Sequence, residues 1–189
     1  MKSEKEFHRR ACVLAAAKRR TQMKNIVLVG FMGTGKTLIG RLLARRLKRR
    51  RLSLDEMIEE KSGRTISDIF SRHGEEYFRV LEKDVVKSVA GGEGMIIDAG
   101  GGVVIDEDNV RRLKLGGVII CLKARPDVIY ERTMSGNSRP LLNTPDPVKS
   151  IKELLGRRAR FYDRADYSID TSDITPDEVV EKIIDIVKK

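Results

Sequence analysis

The sequence has few of the residues that mark disulfide-bonded, zinc-binding or membrane-spanning proteins. It contains only two cysteines, Cys12 and Cys121, which lie far apart along the chain. Two such cysteines make neither a disulfide framework nor a Cys-rich zinc site. No apolar run is long enough to cross a bilayer. We therefore expect a soluble protein with reduced thiols, located in the cytoplasm and without a membrane partner.

Aromatic residues are also scarce, at 5% of the chain, although the net charge is +10. The positive charge is concentrated in two short clusters, at residues 1–22 and 41–51, and not in a stripe along the whole chain. No helix-turn-helix or RNA-recognition motif accompanies these clusters. We interpret both as solvated surface and expect no nucleic-acid partner.

From residue 24 onward, short apolar runs alternate with amphipathic segments. The pattern predicts strands at residues 25–30, 51–54, 95–98, 117–122 and 167–170. Helices are predicted between and after these strands, including a long one at residues 66–89. Strands separated by helices predict an α/β fold of three layers, in which a doubly wound five-stranded parallel sheet has helices on both faces. Ligands of such folds bind at the carboxyl ends of the strands.

Two segments differ from this alternation. Residues 1–22 precede it, and we interpret them as an N-terminal extension that is either disordered or not native sequence. The remaining residues, 23–189, have a length that suits one domain with a single core. Residues 134–147 form a long stretch rich in Gly, Asn and Pro, for which we expect a lid over the ligand site. We expect the protein to be a monomer.

The clearest motif is GFMGTGKT, which lies between a predicted strand and a predicted helix. It fits the G-x-x-x-x-G-K-T pattern of a phosphate-binding loop. In such a loop the backbone N–H groups, here of Gly33, Thr34 and Gly35, surround phosphate oxygens. The Lys36 ammonium reaches the terminal phosphates, and the Thr37 hydroxyl reaches Mg²⁺. The motif predicts binding of a nucleoside triphosphate but does not identify the acceptor.

Further candidate site residues follow the other strands. Asp55 comes at the end of the second predicted strand, where a carboxylate can orient Mg²⁺ or accept the proton of an attacking hydroxyl. It could also cap the helix that follows. The run Gly100-Gly101-Gly102 comes after the third strand and lets a small ligand approach the main chain closely, although a plain turn is the alternative.

Among the arginines outside the two basic clusters, three are further candidates for the site, namely Arg79, Arg139 and Arg158. Guanidinium groups are the preferred clamps for carboxylates and phosphates. An arginine in the lid, such as Arg139, can also neutralise charge on a phosphoryl group during its transfer. A single surface arginine usually has no such role, so this interpretation depends on the three acting together with the phosphate loop.

Taken together, these segments resemble the shikimate kinase family, in the nucleoside-monophosphate-kinase-like group of phosphate-loop enzymes. The resemblance covers residues 23–189. It depends on the spacing and identity of GFMGTGKTLIGRLLA, LDEMIEEKSGRTISDIF, HGEEYFRVLE, AGGGVV, ERTMSGNSRPLL and RRARFYDRAD. The resemblance implies that the protein uses ATP and Mg²⁺ to phosphorylate the 3-hydroxyl of shikimate, on the route to chorismate and the aromatic amino acids.

The resemblance also implies roles for single residues on the acceptor side. Asp55 matches the carboxylate that holds the substrate hydroxyls and acts as the base. Arg79 and Arg158 match the pair that binds the substrate carboxylate. Gly100, Gly101 and Gly102 match its backbone cradle.

On the donor side, the resemblance leaves Lys36 and Thr37 with the phosphate and magnesium roles given above. Arg139 matches the lid arginine, which contacts both the ATP phosphates and the substrate. Arg132 matches the residue that packs on adenine. The expected catalytic residues are therefore Lys36, Asp55 and Arg139.

The sequence departs from the family pattern at the ends of two strands. The family usually has Asp-x-Asp where this chain has Ser53-Leu54-Asp55, so the first carboxylate is missing. Asp98 ends the third strand, where the family tends to have a small or neutral residue. We hypothesise that Asp98 has taken over the water shell of Mg²⁺, the alternative being a turn-forming aspartate. Arg51 replaces an expected apolar residue and has to extend to solvent or lie at the sheet edge.

Two other functions remain open at this point. A regulatory GTPase would explain IIDAGG as a switch motif, but the Asn-Lys-x-Asp motif that reads the guanine base is absent from the chain. A kinase of another small acceptor, such as gluconate or a nucleotide, would use the same phosphate loop. Gluconate is also a carboxylate, so the two arginines alone do not exclude it.

Overall fold

The computed structural model describes residues 23–134 and 146–188. The predicted extension at residues 1–22 and nearly all of the predicted lid, with Arg139, lie outside the described residues. Within the described part, no helix is both long enough and apolar enough to cross a membrane. Cys121 is a buried free thiol, and burial raises its pKa to about 11.

Five strands form one parallel sheet. They are β1 (Asn25–Gly30), β2 (Arg51–Ser53), β3 (Ile96–Asp98), β4 (Gly117–Lys123) and β5 (Tyr167–Asp170). Their spatial order is β2-β3-β1-β4-β5, which places β1 at the centre and β2 at an edge. All pairs of neighbours are parallel. The predicted doubly wound, five-stranded parallel sheet is confirmed.

Seven α-helices surround the sheet in the described part of the chain. They are α1 (Lys36–Leu47), α2 (Leu54–Ser62), α3 (Ile66–Val89), α4 (Glu107–Gly116), α5 (Pro126–Met134), α6 (Pro147–Tyr162) and α7 (Pro176–Lys188). A short 3₁₀ turn, Val103–Ile105, follows the three glycines.

The buried residues of β1 divide between two cores, one on each face of the sheet. Ile26 and Leu28 belong to the core that contains α1 and α7, whereas Val27 and Val29 belong to the core that contains α3 and α4. Successive side chains of a strand point to opposite faces, so a central strand with helices on both sides is buried along its whole length. This burial holds the phosphate loop, which directly follows β1, on a rigid base.

The second strand is one residue shorter than predicted because the next helix already begins at Leu54. The Ser53 hydroxyl accepts a hydrogen bond from the backbone N–H of Glu56 at 3.3 Å and is the N-cap of α2. Asp55 therefore lies in the first turn of α2, and the expectation that it ends the strand or caps the helix is wrong. A serine cap satisfies helix N–H groups as well as an aspartate does, so Asp55 is left available to the site.

The long helix α3 has the predicted bounds but is interrupted at Gly74. This glycine has φ 78° and ψ 178°, outside the helical region and in a conformation that favours glycine. The interruption separates a first segment at residues 66–73 from a longer one at residues 75–89. The longer segment contains Arg79 and packs Phe78, Val85 and Val86 into the core.

Candidate active site

A cleft of about 630 Å³ opens at the carboxyl ends of β1, β2 and β3. Such a volume is typical of small-molecule sites. Residues predicted for the donor side and for the acceptor side both line this cleft, together with Ser53. The predicted residues in the lining are Gly33, Gly35, Lys36, Thr37, Asp55, Asp98, Gly100, Gly101, Arg132 and Arg158. The sheet therefore brings the donor motif and most of the acceptor candidates to one place.

The phosphate loop has the backbone conformation that its sequence predicts. Gly30, Gly33 and Gly35 all have positive φ, at 140°, 77° and 94°. Gly35 is the N-cap of α1 and has no side chain to bind the first N–H groups of the helix, which makes this helix end suitable for an anion. Thr34 is buried, and its hydroxyl donates to the Phe31 carbonyl at 2.7 Å. Its side chain thus fixes the loop, and its backbone is what a phosphate can use.

Lys36 extends over the same loop. Its ammonium donates to the carbonyls of Gly30 at 2.9 Å and Phe31 at 3.0 Å. The charge is therefore held where the terminal phosphates of a nucleotide would reach the loop. Thr37 follows in the first turn of α1, is exposed and lines the cleft.

Asp55 has an altered acidity although its side chain is accessible from the cleft. The surrounding protein displaces water from the carboxylate and raises its pKa above the usual 3.8, while the Lys36 charge lowers it. The nearby Asp98 and Glu59 charges raise it further. A raised pKa makes a carboxylate a stronger base, which suits a group that has to accept a hydroxyl proton.

Arg79 is held by two glutamates of its own helix. Its Nη2 donates to Glu75 at 2.6 Å and its Nη1 to Glu82 at 2.9 Å, and the Glu82 side chain is only 2% exposed. Burial lowers the pKa of Arg79, but the two carboxylates more than offset it and the pKa is raised. Burial also raises the pKa of Glu82. Neither glutamate was predicted as a partner of Arg79, although their spacing of four and three residues from it is a known helix signal.

The three glycines make room first for protein groups. A Cβ on Gly102 would lie 2.3 Å from Arg79 Nη1, and one on Gly101 would lie 2.7 Å from the Gly30 carbonyl oxygen. Of these three glycines, Gly100 and Gly101 line the cleft and Gly102 does not. The run therefore lets both the phosphate loop and Arg79 approach the backbone after β3, which explains why three glycines occur where a turn needs fewer.

Two further arginines are fixed by partners that no sequence signal revealed. Arg132 donates from Nη1 to the Thr171 hydroxyl at 3.0 Å and from Nη2 to the Thr171 carbonyl at 2.7 Å. Arg158 lies over the Phe31 ring, with 5.9 Å between Cζ and the ring centroid. Both arginines line the cleft. Thr171 and Phe31 thus set their positions.

Asp98 and Arg51 form an ion pair beside the cleft. Arg51 Nη2 donates to Asp98 Oδ2 at 3.0 Å, and the two side chains are 15% and 7% exposed. Asp98 is the register partner of Ser53 on the neighbouring strand, so its carboxylate lies next to the position where Ser53 lacks one. Arg51 does lie at the sheet edge, as expected, but it is mostly buried.

The donors in the cleft fit Mg²⁺ held partly by a nucleotide. In the described segments there is no cluster of three or more His, Cys, Asp or Glu side chains that could hold a metal alone. Mg²⁺ usually keeps several waters and binds through one or two carboxylates plus substrate phosphates. The Thr37 hydroxyl with the carboxylates of Asp55 and Asp98 is an oxygen donor set of this kind.

Known proteins with the same sequence pattern are shikimate kinases. The sequence profile of the family described as "Shikimate kinase" matches residues 32–188. The shikimate kinase of Thermodesulfovibrio yellowstonii is 49% identical over 86% of this chain and 94% of its own length. That of Caldanaerobacter subterraneus subsp. tengcongensis is 48% identical over 86% of this chain and 95% of its own.

A solved structure gives the same result for the fold. The shikimate kinase of Acinetobacter baumannii, in complex with shikimate, superposes with a TM-score of 0.83 at 34% identity. The match covers 90% of this chain and 96% of that one. The chain therefore belongs to the shikimate kinase family, the ATP- and Mg²⁺-dependent phosphotransferases that phosphorylate the 3-hydroxyl of shikimate.

Proposed function

We propose that this chain transfers the γ-phosphoryl group of ATP to the 3-hydroxyl of shikimate in the cleft described above. The observation that carries the proposal is that Lys36 and Thr37, which suit a nucleotide, share one cleft with Asp55 and Arg158, which suit a hydroxylated carboxylate. Holding both reactants in one site replaces an encounter in solution by a positioned reaction.

The ATP phosphates are bound by the backbone of Gly33, Thr34 and Gly35 and by the ammonium of Lys36. Lys36 exchanges its carbonyl contacts within the loop for the β- and γ-phosphates. Arg132 packs on the adenine, with its guanidinium fixed by Thr171.

Shikimate is bound by its carboxylate and its hydroxyls. Arg158 and Arg79 grip the carboxylate from two helices, and each is oriented by protein contacts before the substrate arrives. Gly100, Gly101 and Gly102 allow the substrate and Arg79 to come close to the main chain. This pre-positioning lowers the ordering cost of binding.

In the transfer step, the 3-hydroxyl oxygen bonds to the γ-phosphorus while the bond to the β–γ bridging oxygen breaks. Asp55 accepts the hydroxyl proton, and ADP leaves with the bridging oxygen. Lys36 neutralises charge on the phosphates. We extend the proposal to the lid at residues 134–147. Arg139 of this lid stabilises the same charge, and closure of the lid excludes water.

Mg²⁺ bound together with the nucleotide would supply charge neutralisation at the phosphates. The Thr37 hydroxyl would hold it, and Asp98 would hold its water shell in place of the carboxylate missing at Ser53. We further propose that the kinase domain comprises residues 23–189 and acts as a monomer in the cytoplasm.

A coupled ADP-release assay tests the proposal, with shikimate, gluconate and nucleoside monophosphates as parallel acceptors. We expect turnover with shikimate and background rates with the others. Lys36→Ala is the control for a contaminating kinase, and it should reduce turnover by at least about 10²-fold because charge stabilisation at the phosphates is lost. Turnover on gluconate or a nucleotide alone would refute the assignment.

A further inference from the structure

Arg51 has no part in the mechanism above, yet its side chain reaches the site. It is the first residue of β2, two positions before Ser53, so the two side chains leave the same face of the sheet. Its own register partner on β3 is Ile96. The guanidinium extends past this partner, along the strand direction, to Asp98 at the carboxyl end of β3.

The contact divides the two oxygens of Asp98. Oδ2 accepts from Arg51 Nη2, whereas no group in residues 23–134 or 146–188 donates a hydrogen bond to Oδ1. Asp98 nevertheless lines the cleft beside Thr37 and Asp55. One oxygen is therefore fixed by the arginine, and the other is left for a partner in the cleft.

Fold stability does not account for this ion pair. Arg51 Nε is buried and has no hydrogen-bond partner among the described residues, and both contacts of the guanidinium to Glu56 Oε1 are long, at 3.4 Å. An incompletely bonded, buried ion pair costs desolvation energy that apolar side chains of similar volume would not. The position of the ion pair at the cleft therefore indicates a role in the site and not in the stability of the fold.

We propose that Arg51 is a positioning residue: it holds Oδ2 of Asp98 so that Oδ1 faces the water shell of the magnesium that accompanies the nucleotide. The inference rests on the magnesium role proposed for Asp98. The negative charge of the site has thus moved from β2 to the adjacent strand, about 4.8 Å away, and an arginine on β2 orients it there.

Calorimetric titration of ADP at a series of Mg²⁺ concentrations tests this without using catalysis. The measured quantity is the Mg²⁺ concentration at which ADP affinity reaches half of its maximal enhancement. Removing an outer-shell partner of a metal costs about 10–100-fold in metal affinity. We expect Asp98→Asn and Arg51→Met each to raise this concentration by about 10-fold or more, and the double variant to be no worse than Asp98→Asn alone.

Two further variants isolate the effect. Arg50→Met removes an exposed arginine from the same run and should change nothing. Arg51→Lys keeps the charge and serves if Arg51→Met does not fold. Because an ammonium lacks the planar fork that fixes one carboxylate oxygen, its shift should lie between those of wild type and Asp98→Asn.

The outcomes separate the two claims. If Asp98→Asn shifts the Mg²⁺ requirement but both Arg51 variants do not, the positioning role of Arg51 is wrong while that of Asp98 stands. If Arg51→Met adds its full shift on top of Asp98→Asn, Arg51 acts by another route and the inference is also wrong. If Asp98→Asn shifts nothing, both claims are overturned, while turnover with shikimate would still stand.

Discussion

Gly102→Ala is a small change for which we expect a large rise in the KM for shikimate and almost no change in the KM for ATP. Gly102 has φ −93° and ψ −13°, a conformation that alanine adopts without strain. The added Cβ would lie 2.3, 2.5 and 2.6 Å from Nη1, Nη2 and Cζ of Arg79. Carbon needs more than 3 Å from such atoms, so the Arg79 guanidinium has to move by about 1 Å.

The displacement decides the magnitude. Arg79 can move because it is the end of a long side chain, so the fold should survive. A guanidinium that moves by about 1 Å cannot keep its geometry toward both Glu82 and the shikimate carboxylate. A hydrogen bond to a charged group is worth about 1.5–3 kcal/mol, which corresponds to about 10- to 150-fold in affinity.

Steady-state kinetics with each substrate varied in turn provide the assay. We expect the KM for shikimate to rise by about 10- to 150-fold, while the KM for ATP changes less than about 2-fold, because the hydrogen bonds of Arg79 among the described residues go to Glu75 and Glu82 and not to the phosphate loop. Gly156→Ala is the matched control: no atom lies within 4 Å of its Cβ position, and it should leave both KM values unchanged while stabilising α6 by about 0.5–1 kcal/mol. An unchanged KM for shikimate in a folded Gly102→Ala variant would refute the assignment of Arg79.

The remaining predictions concern the carboxylates of the site. Asp55→Asn should lower kcat by about 10²–10⁴-fold because the base is lost. The folded protein raises the pKa of Asp55 above 3.8, so folding favours the protonated carboxyl and disfavours the carboxylate. The stability that the protonated form contributes is present below about pH 3.8 and is lost as the pH rises through the folded-state pKa. Asp55→Asn should therefore melt at a higher temperature than wild type at pH 7, and this difference should vanish as the pH falls to about 3.8; equal melting shifts at both pH values would contradict the cause given. Ser53→Asp in the Asp98→Asn background should restore the Mg²⁺ requirement of wild type, because aspartate is also a good N-cap and its carboxylate would lie beside position 98; no recovery in a folded double variant would count against a shared role. Glu82→Gln should raise the KM for shikimate about 10-fold with little change for ATP, since Arg79 loses its buried charged partner, and an equal rise for both substrates would point to a general loss of structure.

The fold could be predicted from the sequence because its signals are local. The period of apolar residues identified all five strands, and the bounds of β1 and β5 were predicted correctly. The end of β2 was not, because Ser53 and Asp55 are both good N-caps and only the folded chain shows which one binds Glu56. The break in α3 has a local cause as well, in Gly74, but an isolated glycine within a helical pattern is usually tolerated.

The site could be predicted only in part, because its supporting contacts are long-range. The phosphate loop is contiguous and was identified from its motif alone. Arg51 and Asp98 are 47 residues apart, and Arg132 and Thr171 are 39 apart, so neither pair leaves a periodic signal. The glutamates around Arg79 are the exception, since they share its helix. The structure shows that Asp98 pairs with Arg51, whereas the effect of Asp98 on Mg²⁺ stays a prediction.

The central claim is that one cleft passes a phosphoryl group from ATP to one hydroxyl of shikimate. Two-dimensional ¹H–³¹P correlation NMR of the product formed from equimolar ATP and shikimate measures this directly, because the proton that correlates with the phosphorus identifies the carbon that bears the phosphate. We expect ADP and a single phosphate monoester at the 3-position in equal amounts. Inorganic phosphate in place of the ester, or an ester at another hydroxyl, would contradict the account.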